Sequence, residues 1–354
     1  MMRWLLALVP IALAMEHLFH APALWTFAVS VLAIIPLASL VKDATEEVAT
    51  HLGSTIGGLL NVSFGNASEL ILALFVLRAG EAEVAKAQIT GSLIGNSLLG
   101  LGLGATFGGV KYATQKFNAH KTGVLSSLLT LVVFALLIPA MFDYTERGIK
   151  NVPDPTSLDE RMSLGVSVLL ILIYLANLVY TLVTHRDTFA DADEHHEPSG
   201  KPLWKSVMTL VVATVFVALV SEVVSGSLET ASSSLGVSKF FLGITLLAVV
   251  GNAAEYITAV YFARKNRMDL VMGITLGSTI QVGLMVAPIL VLASFAMGHP
   301  MTLVFRSPLE LVAVAAAAFC VNAISRDGET NWFEGVLLLG VYSILAVAFF
   351  YVTP

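Results

Sequence analysis

The chain has 354 residues, 56% of them hydrophobic and 12% charged, with a formal net charge of −6 and a mean hydropathy of +0.84. That balance excludes an ordinary soluble domain, and the absence of a basic block or of aromatic-basic interleaving excludes nucleic-acid binding. The single cysteine, Cys320, excludes an internal disulfide framework.

Apolar stretches of about twenty residues recur along the whole length, as in a polytopic all-α membrane protein. Eleven transmembrane helices are predicted. The first runs from Met2 to Phe19; a signal peptide competes for this segment, because Ala12-Leu13-Ala14 reads like a cleavage site. The second covers Ala23–Val41, followed by a polar turn holding Lys42, Asp43, Glu46, Glu47 and His51. The third, Thr55–Leu77, contains Gly65, Asn66 and Glu69. The fourth, Val84–Val110, carries Gly91, Ser92, Gly95, Asn96 and Ser97, with Gly91 and Gly95 at the small-xxx-small spacing that lets helices approach closely in lipid.

A basic loop, 111–121, precedes the fifth span, Thr122–Phe142. Asp143–Arg161, with Pro153 and Pro155, reads as a loop, and the sixth span is Met162–Thr184. His185–Pro202 is an acidic linker, read as a solvated connector rather than a surface cation site. Five more spans follow: Leu203–Ser225, Lys239–Phe262, Leu270–Phe295, Pro308–Ile324 and Trp332–Val352.

The two halves are related. Shifting the chain by 186 positions brings eleven of residues 65–99 onto identical residues in 251–285 without a gap. Shared apolarity explains the matching Ala, Ile and Leu; it does not explain Gly65/Gly251, Asn66/Asn252, Glu69/Glu255, Arg78/Arg264, Gly91/Gly277 or Ser92/Ser278. A carboxylate at the centre of a membrane helix costs about 2.5–3.5 kcal/mol on insertion scales, which makes it a functional candidate by default. Five spans per half is an odd number, so the halves must enter the membrane with opposite orientation, as an inverted repeat. The expected organisation is an N-terminal helix (1–20), a first five-helix repeat (21–184), the linker (185–202) and a second five-helix repeat (203–354). With eleven spans, twelve Lys and Arg fall on the N-terminal side and seven on the other. Positive charge stays cytoplasmic, so the N-terminus is expected inside and the C-terminus outside.

On a helix, Asn66 and Glu69 share a face, as do Asn252 and Glu255. Inversion brings the two carboxylates toward each other at the midplane, and Gly65 and Gly251 permit broken helices whose freed carbonyls line a cavity. The partner helices add Ser92, Asn96 and Ser97 from one half and Ser278 and Gln281 from the other. The result is an all-oxygen donor set with two negative charges, suited to a hard divalent cation and to calcium in particular, and unlike a zinc or copper site. Interhelical hydrogen bonding is the competing role for Asn66 and Asn252. Emptied of cation, such a site takes up protons rather than stay doubly negative. If only the filled and the protonated forms change conformation, cation/proton exchange follows.

Gly65-Asn66-Ala67-Ser68-Glu69-Leu70-Ile71 and Gly251-Asn252-Ala253-Ala254-Glu255 resemble the two signature repeats of the cation/proton exchanger family, a branch of the calcium/cation antiporter superfamily. The flanks, Thr55–Asn61 before the first and Met268-Asp269-Leu270 through Gly277–Gln281 after the second, are similar too. The resemblance implies a Ca2+/H+ antiporter of eleven helices, one plus two inverted sets of five, with Glu69 and Glu255 carrying both ions. Ca2+ and H+ are then substrates and no resident cofactor is implied. Many eukaryotic members carry a histidine where this chain has Tyr256, so pH behaviour assigned to that position does not carry over. Sodium/calcium exchangers usually place proline before the motif glutamate; Ser68 and Ala254 stand there here, which favours proton coupling. A sodium-coupled exchanger, a passive channel and an intramembrane acid-pair enzyme are the other readings, in that order. The expected setting is the plasma membrane of a prokaryote, with the lipid bilayer as partner and the oligomeric state open, a homo-oligomer included.

Overall fold

The computed structural model describes residues 3–52, 54–148, 155–185, 202–305 and 307–352. They form α1 (Trp4–His17), α2 (Ala23–Leu52), α3 (Ser54–Phe64), α4 (Ala67–Arg78), α5 (82–109), α6 (Ala119–Gly148) and α7 (Thr156–Thr184). After the linker come α8 (Leu203–Leu235), α9 (Lys239–Gly251), α10 (Ala253–Ala263), α11 (Met268–Ala296), α12 (Pro308–Ile324) and α13 (Trp332–Tyr351). The acidic stretch of the linker, 186–201, lies outside the described residues, as do Pro153 and the rest of 149–154.

Six of these helices (α2, α6, α7, α8, α11 and α13) are long and apolar enough to cross a membrane, and the bent pair α9 and α10 makes a seventh. α1 and α12 are shorter apolar helices. The outer surface agrees with a lipid setting. α7 exposes Val168, Leu169, Leu172, Leu175, Val179 and Val183. From Leu169 onward they are spaced by three or four residues and form an apolar stripe suited to lipid. The interior holds the polar groups instead: Gln88, Thr90, Ser92, Asn96 and Thr279 are fully buried. This is an integral membrane protein.

Three boundaries differ from the sequence reading for one physical reason. The polar turn after Val41 is helical, because α2 continues to Leu52. Val41, Ala44, Thr45 and Val48 bury one face of this extension, while Glu47 accepts a 3.1 Å hydrogen bond from Ser206 on α8. Likewise α8 runs past Ser225 to Leu235, where Gly236 at φ 66° ends it, a left-handed position that glycine takes without steric cost. The expected loop 143–161 is mostly helical as well, with α6 reaching Gly148 and α7 under way by Thr156. Charged residues end an apolar stripe without ending a helix.

Packing is reciprocal between the halves. α2 lies along α8 and α6 along α12, while α7 packs on α11 and α13 on α5. Ser206, at the start of α8, bonds Glu47 near the end of α2. Asn322, near the end of α12, donates to Thr130 in the first half of α6. Both equivalent pairs are therefore antiparallel. Gly91 sets the closest approach of α5 to α9: a Cβ there would strike the Ile244 carbonyl and lie 2.6 Å from Ala248 Cβ. Its repeat counterpart Gly277 has open space around it, so the shared glycine packs in one half only.

At one end of the bundle the connections knit together. Gln115 and Lys116 pair antiparallel with Thr330 and Glu329, and Gln115 donates to the Ala263 carbonyl at 2.8 Å and to Asn266 Oδ1 at 3.2 Å.

Candidate functional site

The two signature motifs break their helices in the same way. Asn66 sits at φ −104°, ψ 21° between α3 and α4, and Asn252 at φ −102°, ψ 9° between α9 and α10. These lie near the sparsely populated bridge region of backbone space, and the second break bends its pair by 52°. Glu69 and Glu255 each fall in the first turn of the helix that restarts.

Further along the chain, α5 and α11 contain π-helical turns at Gly95–Gly100 and Val282–Val286, nearly equivalent positions of the repeat. Such turns widen a helix and cluster at functional sites. Asn96 lies within the first, and Gln281 immediately precedes the second.

Seven of the eight candidate side chains join into one hydrogen-bonded chain across the two halves. Asn66 Nδ2 donates to Gln281 Oε1 at 2.7 Å, and Ser278 Oγ donates to Asn66 Oδ1 at 2.9 Å. Asn96 Nδ2 reaches Ser278 Oγ at 3.0 Å and Asn252 Oδ1 at 2.8 Å. Asn252 Nδ2 in turn lies 3.0 Å from Ser92 Oγ and 3.2 Å from Glu69 Oε1, and Ser92 donates to the same carboxylate oxygen. Every asparagine and serine of this chain bridges to the other half.

Two buried oxygens of the cluster, Glu69 Oε2 and Asn96 Oδ1, have no hydrogen-bond partner among the described residues. An unsatisfied buried acceptor costs about 1–3 kcal/mol and more when charged.

Glu255, the eighth candidate, stands apart from that chain. It lines a crevice of about 1050 Å3 with Asn66, Ser278 and Gln281. The side chain nearest to it that carries the opposite charge is Lys42, whose Nζ is 3.9 Å from Glu255 Oε1. Asn61 and Gly65 also line this crevice, and so do Lys121 and Arg267, which belong to the knitted end of the bundle. A separate cavity of about 550 Å3, lined by Glu83, Lys86, Asp159 and Glu160 among others, lies at the start of α5 and shares no lining residue with the crevice. Glu69, Ser92, Asn96 and Asn252 line neither.

Sequence reasoning missed two contributors. Gln88 donates to the Glu69 backbone carbonyl at 3.3 Å, and its only signal was an amide within an apolar span. Lys42 was assigned to a turn and is instead a helical residue beside the second carboxylate. Ser97, named as a donor, bonds Thr279 at 3.2 Å rather than joining the carboxylates.

The sodium/calcium exchanger protein family model matches residues 22–183 and 205–351. The chain is 42% identical over 362 residues to a Ca(2+)/H(+) antiporter of Aphanothece halophytica, covering 98% of this chain and 95% of that one. It is also 42% identical to the Ca(2+)/H(+) antiporter ChaA of Bacillus subtilis, over 94% of each. Among solved structures, native YfkE is similar at a TM-score of 0.84 and 37% identity, covering 98% of both chains. The H+/Ca2+ exchanger CAX, at 17% identity and a TM-score of 0.69, covers 98% of this chain and 90% of its own and shares the fold. Paired motifs, architecture and full-length relatives converge on one conclusion: the chain belongs to the cation/proton exchanger family of the calcium/cation antiporter superfamily.

Proposed function

We propose that this protein is a secondary active antiporter that exchanges Ca2+ for H+ by alternating access, with Glu69 and Glu255 as the shared ligands of cation and proton. The observation that carries this reading is the oxygen cluster spanning both halves, with Glu69 Oε2 and Asn96 Oδ1 unpartnered among the described residues and a crevice that reaches its Asn66, Ser278 and Gln281. Asn66, Asn252, Ser92, Asn96, Ser278 and Gln281 supply neutral oxygens and the two glutamates supply charge, which is the hard, flexible donor set that calcium takes. Its curated relatives at 42% identity carry the name Ca(2+)/H(+) antiporter, which supports the same substrates here.

Exchange follows from competition. A proton on either carboxylate removes ligand charge and weakens cation binding. Lowering the pH at the binding face therefore raises the half-saturating Ca2+ concentration, by up to about tenfold per pH unit for each proton displaced, and lowering it on the far face speeds turnover. Calcium uptake into vesicles under an imposed pH gradient, measured with potassium and then with sodium, checks this. Uptake that ignores pH and requires sodium reassigns the chain to sodium-coupled exchange; indifference to both makes it a channel.

The membrane arrangement we propose has eleven spans, with α3–α4 and α9–α10 each counted as one, organised as 1–20, an inverted pair of repeats at 21–184 and 203–354, and the linker 185–202 between them. The antiparallel α2–α8 and α6–α12 pairs support inversion. The crevice opens at the end carrying Lys121 and Arg267, which the positive-inside rule makes cytoplasmic. Cysteine labels at Lys116 and Lys265 in a Cys320→Ala background are expected to react from the cytoplasmic side and one at Val352 from the other. Finding Lys265 and Val352 on the same face breaks the eleven-span count.

A further inference from the structure

The two motif carboxylates are equivalent in sequence and are held by different forces. Glu69 is 2% exposed and receives neutral donors from Ser92 and Asn252. Glu255 receives a charge: the Lys42 ammonium stands 3.9 Å from its Oε1, and the two side chains are 17% and 9% exposed. At that distance the pair has no hydrogen bond and is coupled by Coulomb attraction alone. The repeat offers no match for it. The offset of 186 sets Lys42 opposite Leu228, and aligning the glycines that follow the two helices, Gly53 and Gly236, sets it opposite Ser225, whose hydroxyl donates to the Glu222 carbonyl of its own helix; neither counterpart is basic.

We infer that Lys42 is a tethered counter-ion that competes with the transported cation for Glu255 on the crevice side, an inference that rests on Glu255 being a cation ligand. Its ammonium offers three donors on a flexible four-carbon stem and no acceptor, so it neutralises the carboxylate without adding a ligand oxygen. Both groups line the crevice that leads to Asn66, Ser278 and Gln281. A divalent cation bound to Glu255 at 2.3–2.6 Å meets a like charge a few ångströms away, and the ammonium has to swing into the crevice before the ion seats. Asp43 and Glu46 on the same helix line that crevice too and offer the displaced ammonium acidic neighbours. The device acts on one carboxylate and one face, so it weakens binding on the crevice side and leaves Glu69 untouched.

The test is Ca2+ binding by the purified full-length protein, measured by isothermal titration calorimetry for wild type, Lys42→Gln, Lys42→Ser and Lys42→Arg. Removing the charge is expected to tighten binding about tenfold in both the Gln and Ser variants, a shift of about 1.4 kcal/mol. Lys42→Arg keeps the charge and is expected to keep the wild-type affinity. Melting temperatures in the absence of Ca2+ separate a structural role: a variant that melts early and binds no tighter makes Lys42 a packing residue and overturns the inference. Equal affinity across the series, or no binding in any member, overturns it as well. Tighter binding in a protein that shows no pH-driven transport upholds the counter-ion and overturns the exchange reading instead.

Discussion

Glu69→Gln and Glu255→Gln are each expected to reduce pH-driven calcium uptake to vesicle background, a loss of at least about 100-fold. The amide keeps the shape of the side chain and removes its charge. Losing a buried charge partner costs about 2–5 kcal/mol, and each 1.4 kcal/mol is tenfold. Stability should not follow activity. Glu69 is buried at 2% exposure, and neutralising a buried carboxylate relieves a desolvation cost, so the purified Glu69→Gln protein is expected to melt at or above the wild-type temperature. Near-normal uptake in either variant would remove that glutamate from the site.

The second large effect separates two asparagines that the repeat treats as equals. Asn252 touches the Glu69 carboxylate, Ser92 and Asn96, whereas Asn66 touches Gln281 and Ser278 at the crevice. A hydrogen bond to a charged group contributes about 1.5–3 kcal/mol and one between neutral groups about 0.5–1.5. Asn252→Ala is therefore expected to lower the apparent calcium affinity about 100-fold and Asn66→Ala about tenfold. Measured calcium dependence of uptake, with thermal melts alongside, decides it. Equal losses would mean that the chain of contacts around Asn252 is not what binds the ion; lower melting temperatures with unchanged affinity would make both residues interhelical ties.

Much of this was legible because membrane burial is costly for polar groups. Glu69 and Glu255 announce themselves by standing in apolar sequence, and the offset between them exposes the two halves. The paired breaks were legible in Gly65-Asn66 and Gly251-Asn252, since a glycine there permits what an unbroken apolar helix does not need. Rotational register between helices was not. Nothing in the spacing of α5 says that Gly91 meets the Ile244 carbonyl while Gly277 meets nothing. The π-helical turns at Gly95 and Val282 left no periodic trace, because one extra residue per turn is lost within a uniformly apolar run. Lys42 was hidden for the opposite reason. Charge after an apolar stretch reads as the end of a helix, and in α2 it is one face of a helix that continues for ten more residues, to Leu52.

The paired breaks at Asn66 and Asn252 also bear on how long an ion stays. α4 and α10 both restart within three residues of their glutamates, so the positive end of each helix's peptide dipoles, worth about half an elementary charge, lies beside a carboxylate proposed above as an ion ligand. That field opposes the carboxylates from behind. A storage protein would gain nothing by it, because its task is to hold. A carrier completes a cycle only when its passenger departs, and dwell time shortens exponentially as the well grows shallower. In the exchange cycle proposed above, interrupting both helices beside their acids would trim grip in favour of turnover.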